Sequence, residues 1–115
     1  MKYAILMFEN DADFARRGDP TYLGAWATYA KAVHESGIFV DGAGLQPPTT
    51  ATTLRLRDGK RHVQDGPFAD TKEQFGGYFV VDVPSLDDAL DWASRSPSAS
   101  SACVEVRPVM APMAG

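Results

Sequence analysis

Two strand–helix–strand patterns flank a hairpin signal in this chain of 115 residues. No other feature restricts the fold as much. Right-handed crossovers put the helices of two such units on one face of a single antiparallel sheet. In the first unit, Tyr3, Ile5 and Met7 alternate with Ala4, Leu6 and Phe8 over residues 2–8. Both sets are apolar, as in a strand covered on both sides. Residues 10–19 are polar and read as a loop. Asp19 is a good N-cap and Pro20 fits the first helical position. Tyr22, Trp26, Tyr29 and Val33 then recur at four, three and four residues, which marks one helical face. A stripe at this spacing is mostly core packing, with Trp26 the exception expected to reach a pocket. Gly37 stops the helix. Ile38-Phe39-Val40 opens the second strand, which runs through Gly42-Ala43-Gly44 and ends before Pro47-Pro48.

Residues 52–64 read as a hairpin turned at Asp58-Gly59, a type I′ signal. Residues 69–74 are polar, with room for one helical turn. The second unit begins with a strand over 76–83. Ser85 and Asp88 form an acidic version of a capping box for the next helix. Leu86, Ala89, Leu90 and Ala93 are its expected buried stripe. The last strand sets Val104 and Val106 against Cys103, Glu105 and Arg107. The order is that of a ferredoxin-like α+β fold, βαββαβ, with an inserted β-hairpin. The first and third core strands, the most apolar, belong in its centre. Residues 1–109 read as one domain and 110–115 as a flexible C-terminal tail.

With both helices on one face, the other face is open, yet the central strands offer it apolar residues. The 44% hydrophobic share then exceeds what a lone chain of this size needs. A homodimer packed sheet to sheet is expected. The net charge of −4 argues against a nucleic-acid partner. The basic cluster Arg55, Arg57, Lys60, Arg61 and His62 reads as a solvated hairpin tip. No apolar run is long enough for a membrane span. The first residues lack the parts of a signal peptide. With a single cysteine, Cys103, a cytoplasmic location is expected. No motif for a nucleotide, metal or other cofactor is present: Gly42-Ala43-Gly44 lacks the third glycine and helix of a dinucleotide loop, and His62 with Asp65 is too little for a metal.

The segment Asp65-Gly66-Pro67-Phe68 is the best chemical candidate. Pro67 fixes the turn and Gly66 is free to take positive φ. Phe68 sits beside the Asp65 carboxylate, an arrangement that can raise an aspartate toward general-base use. The competing reading is that Asp65 accepts backbone N–H groups and holds the turn. Lys72 either grips an anionic ligand with Glu73 in support, or both pair with neighbouring charges. Arg107 either clamps a carboxylate or makes a structural link with Glu105. His34 reads as a surface histidine suited to the helix C-terminus.

Asp65 to Phe68, Thr71-Lys72-Glu73, Gly76-Gly77-Tyr78 and Glu105-Val106-Arg107-Pro108, in this order, resemble the DGPF-domain branch of the YCII-related family. The likeness also takes in Met1-Lys2-Tyr3, Trp26-x-x-Tyr29 and Gly44-Leu45-x-Pro47, so it runs over nearly the whole chain. It implies a ferredoxin-like chain in a dimeric α/β barrel, with a pocket near the Asp65–Phe68 loop. The wider family includes lyase-like members acting on chlorinated muconolactones. A His-Asp pair is proposed as catalytic in its YciI-type members. That histidine falls near Trp26, whose indole cannot take its role.

Two functions follow as expectations. One is a cofactor-free lyase or isomerase for a small organic acid or lactone. Asp65 would be its catalytic base, Trp26 and Phe68 its walls, and Lys72, Glu73 and Arg107 its substrate-binding groups. The other is a non-catalytic ligand-binding or regulatory module. Its partner would be an extracytoplasmic-function sigma factor, since genes of the resembling branch often adjoin such factors.

Overall fold

Four strands form one antiparallel sheet in the computed structural model, which describes residues 1–112. In chain order the elements are β1 (Lys2–Asn10), α1 (Asp11–Ala15), α2 (Pro20–Glu35), β2 (Phe39–Gly44), β3 (Thr52–Arg57), β4 (Lys60–Asp65), β5 (Glu73–Asp82), α3 (Leu86–Ser94), α4 (Pro97–Ser101) and β6 (Cys103–Pro108). The sheet order is β2-β5-β1-β6, so the two central strands are the first and third of the core. This is a ferredoxin-like α+β topology, and β3 and β4 pair separately as the inserted hairpin.

Local chemistry explains most of the boundaries. Asp19 accepts from Thr21 N at 2.9 Å, and Pro20 opens α2. Gly37, with φ of +82°, ends it. Asp58 and Gly59 have φ of +51° and +74°, as a type I′ turn requires. Ser85 caps α3 by accepting from Asp88 N at 3.2 Å, and its hydroxyl donates to the Asp88 carboxylate at 2.8 Å.

Four local expectations need correction. Residues 11–18 are not a loop: α1 and a 3-10 turn fill them. Asn10 accepts from Asp13 N at 2.8 Å, and Asp13 accepts from Asn10 N at 3.1 Å, a reciprocal cap. Residues 69–72 make no helical turn. Instead, Gln74 donates to the Ala69 and Thr71 carbonyls, and β5 starts three residues early at Glu73. In α3 only Ala89 and Ala93 are buried, while Leu86 and Leu90 are each 46% exposed. A further short helix, α4, follows Pro97. The expected tail reaches into residues 113–115, which lie outside the described ones.

The core lies between the sheet and the helices. Tyr3, Ile5, Met7, Val81 and Val83 meet Tyr29, Val33, Ala89 and Ala93. The Tyr29 hydroxyl donates to the Trp92 carbonyl at 2.9 Å and ties α2 to α3. The chain is a slab 19 Å thick and 46 by 45 Å across, the thickness of one sheet and one helical layer. The far face of the sheet is therefore uncovered. Ala4, Leu6, Phe8, Tyr78 and Val80 lie on it half-buried, with Phe75 beside Phe8. Among the described residues no helix is long and apolar enough to cross a membrane.

Candidate functional site

A cavity of about 620 Å³ opens between α2 and the β2–β5 edge, on the helical side of the sheet. Missing side chains create it. Leu23, Ala27, Ala30 and His34 recur along α2 at four, three and four residues, beside the core stripe, and the two alanines leave space. Gly42, Gly44, Gly76 and Gly77 do the same from the strands. Three of these glycines are also obligatory for packing. A Cβ on Gly42 would meet the Phe79 ring at 2.8 Å, one on Gly77 the Ala43 carbonyl at 2.9 Å, and one on Gly76 the Glu9 carboxylate at 2.8 Å. Trp26, Phe39 and Phe79 supply the apolar walls.

One end of the cavity is polar. Glu9 occupies the buried face of β1, on the alternation of Tyr3, Ile5 and Met7, and is 3% exposed. Arg17 reaches it from the turn after α1. Its Nε and Nη2 donate to Glu9 Oε2, Nη2 also to the Gly76 carbonyl at 3.3 Å, and Nη1 to the Leu45 carbonyl. The Tyr22 hydroxyl donates to Glu9 Oε1 at 2.7 Å. Both carboxylate oxygens are thus engaged, which is what a buried charge requires. Burial pushes the Tyr22 phenol up to about 12. The Trp26 indole N–H beside it works in the opposite direction, while the Glu9 carboxylate adds to the rise. That indole nitrogen is buried without a hydrogen-bond partner.

His34 lies at the other end, past one further turn of α2 from Ala30. Its ring stacks on Phe39 with centroids 4.0 Å apart, and Nδ1 is 2.7 Å from the Ala30 carbonyl.

The residues singled out in the sequence are not brought together in one place. Trp26 lines this cavity. Phe68 and Glu73 line a second groove of about 490 Å³ on the uncovered side, beside Phe8 and Phe75. Asp65 ends β4, exposed, and its carboxylate makes no hydrogen bond among the described residues. Phe68 is 78% exposed and does not desolvate it. Gly66 has φ of +96°, and its N–H donates to the Ala51 carbonyl, so the turn is held by backbone instead. Lys72 is exposed and unpaired among the described residues. Arg107 is on the uncovered face opposite Ala4, and Glu105 opposite Leu6; the expected link between them is not formed. The Glu73 carboxylate beside Cys103 is the first cause, and burial the second, holding that thiol up to about 11. Glu9 and Arg17 have no place in the sequence reading, where Tyr22 belongs to the core stripe and His34 is a surface histidine at the helix end. Their signals were the continued alternation of β1 past Phe8 and a second stripe along α2. Among the described residues no three His, Cys, Asp or Glu side chains are grouped to hold a metal ion.

Comparison with known proteins agrees with this architecture. An uncharacterised protein of Rhizobium meliloti (strain 1021), R00369, is 36% identical over 114 residues, covering 95% of this chain and 92% of that one. The solved structure of 5-chloro-2-hydroxyhydroquinone dehydrochlorinase from Burkholderia phenoliruptrix AC1100, in complex with 2,5-dihydroxybenzoquinone, superposes with a TM-score of 0.57. It covers 96% of this chain and 94% of its own at 16% identity, a likeness of fold. The YCII-related domain model matches residues 1–112, and the chain belongs to that family.

Proposed function

We propose that the cavity behind α2 binds a small flat ring compound, a lactone or the cyclic enol of an organic acid, for a cofactor-free lyase or isomerase step. One observation carries this reading: an apolar, aromatic-walled cavity of ligand size with one polar end. Arg17 has five N–H groups, and the bonds above use four. The remaining one, on Nη1, suits a single ligand oxygen. A lactone carbonyl or enol oxygen needs only the one donor. The ring compound bound by the dehydrochlorinase of similar fold supports the same class.

Calorimetric titration with 2,5-dihydroxybenzoquinone tests this. Binding is expected, and Ala27→Leu, which fills the cavity, should weaken it at least ~10-fold, the effect of losing ~1.4 kcal/mol. Unchanged affinity in Ala27→Leu would place the ligand elsewhere.

The same reading includes a homodimer. In the hairpin Leu54, Leu56 and Val63 are 52%, 69% and 59% exposed, and two strands alone are marginal in water. A second copy packed on the uncovered sheet face would cover them. It would also be the route by which Asp65, Phe68, Lys72, Glu73 and Arg107 reach a site, since in one chain they are separate from the cavity. Light scattering at micromolar concentration should give twice the chain mass, and Leu6→Lys should give monomer. A wild-type monomer would refute the assembly.

A further inference from the structure

We infer that His34 is the general base of this cavity, a role that rests on the ligand-binding reading above. The geometry at the ring carries the inference. A carbonyl oxygen only accepts, so the 2.7 Å contact with Ala30 places the proton of the neutral imidazole on Nδ1. Nε2 is then the acceptor, on the far side of the ring from the bonded nitrogen. It has no protein partner among the described residues. The ring is held twice more, flat on Phe39 at 4.0 Å and edge-on to Phe79 at 6.5 Å between centroids. Such anchoring keeps a base in one orientation. Both aromatic partners, and Ala30, line the cavity with it.

The other titratable groups on the lining are already occupied or face away. Glu9 has both oxygens engaged by Arg17 and Tyr22. Arg17 is a donor with no acceptor atom. Tyr78 is opposite Leu6 and Ala43, on the uncovered side of the sheet. His34 is therefore the lining side chain with an acid–base atom to spare. Arg17 and His34 are at opposite ends of the cavity, the first able to donate to an oxygen, the second able to accept a proton.

The step balances without a co-reactant. Nε2 takes a proton from the ring carbon next to the ligand carbonyl. The C–H electron pair moves into the ring and onto the carbonyl oxygen. The imidazolium then returns the proton to the far carbon of the dienolate, an isomerisation. Where that carbon's neighbour carries a leaving group, the electron pair expels it instead, and the proton stays on the imidazole until solvent removes it.

The test uses α-angelica lactone, a five-membered enol lactone whose double-bond shift is followed by absorbance. The wild-type protein should bind it and accelerate the shift. His34→Asn should still bind the lactone and lose roughly 100-fold in kcat, the low end for removal of a general base. His34→Ala should regain part of the rate with added imidazole. A His34→Asn variant within about threefold of wild type overturns the assignment. So does binding of the lactone with no acceleration by the wild type, or loss of the rate in Asp65→Asn but not in His34→Asn. If the wild type binds neither the lactone nor 2,5-dihydroxybenzoquinone, the cavity reading itself fails and takes the base with it.

Discussion

Raising the pH from about 10 to about 12 is expected to remove about 4 kcal/mol from the stability of the fold, because burial holds Tyr22 and Tyr29 protonated in it up to about 12. Burial is the main cause for both. At Tyr22 the Trp26 N–H opposes it and the Glu9 carboxylate reinforces it. At Tyr29 the Arg95 charge opposes it. The sign follows from where the protons go. Below pH 10 both phenols are protonated whether the chain is folded or unfolded, and the stability is full. Between 10 and 12 the unfolded chain releases two protons that the folded chain retains, so unfolding is favoured. Each unit of difference is worth about 1.4 kcal/mol per group, about 5 kcal/mol in total, of which about 4 falls in this window because titration is half complete at each end of it. Urea midpoints measured across this range should fall steadily. In a Tyr22→Phe, Tyr29→Phe double variant that fall should largely vanish. A wild-type midpoint that does not move would mean the phenols ionise in the folded chain.

The fold was legible because its punctuation is local. Asp19-Pro20, Gly37 and Asp58-Gly59 each act on their own backbone, and no tertiary contact is needed to interpret them. The apolar alternation of β1 and the core stripe of α2 supplied the rest. Where local signals were weaker, reading was poorer. α1 has only five residues, too few to show an apolar repeat, so it reads as a loop. Leu86 and Leu90 have the right spacing for burial, but α3 turns its alanines to the sheet.

The cavity was harder to see for a different reason. It is made by segments around residues 9, 17, 23–34, 39–47 and 76–79, and much of it is glycine and alanine. An absent side chain has no chemistry to notice in a sequence. Asp65, Phe68, Lys72 and Glu73 stand out because they are neighbours in the chain, yet none of them lines the cavity that Trp26 lines. His34 was legible as a helix-end histidine, and it is exposed there. Only the stacking on Phe39, a residue beyond the helix stop, shows that its ring is part of a wall.

Glu9→Ala is expected to cost about 3 kcal/mol, the low end for breaking a buried ion pair. The carboxylate is one of two partners holding the polar end together. Without it the Tyr22 hydroxyl, in a buried residue, has no acceptor, and Arg17 keeps only the Gly76 and Leu45 carbonyls. The Arg17 side chain is 24% exposed, so water recovers part of its loss, which sets the estimate at the low end. Glu9→Gln should cost less, since an amide oxygen still accepts from one of the two partners. The order of the variants separates the charge from the shape. If Glu9→Ala and Glu9→Gln were equally destabilised, the charge alone would matter. If neither moved the urea midpoint, the pair would contribute nothing net to the fold. Its consequence also reaches the site. Arg17 ties the 45–47 segment to the sheet through the Leu45 carbonyl, and that segment is one wall of the cavity. Loss of Glu9 should therefore weaken 2,5-dihydroxybenzoquinone binding along with stability, whereas a core truncation such as Val33→Ala should lower stability, by about 1–2 kcal/mol, and leave the affinity where it was.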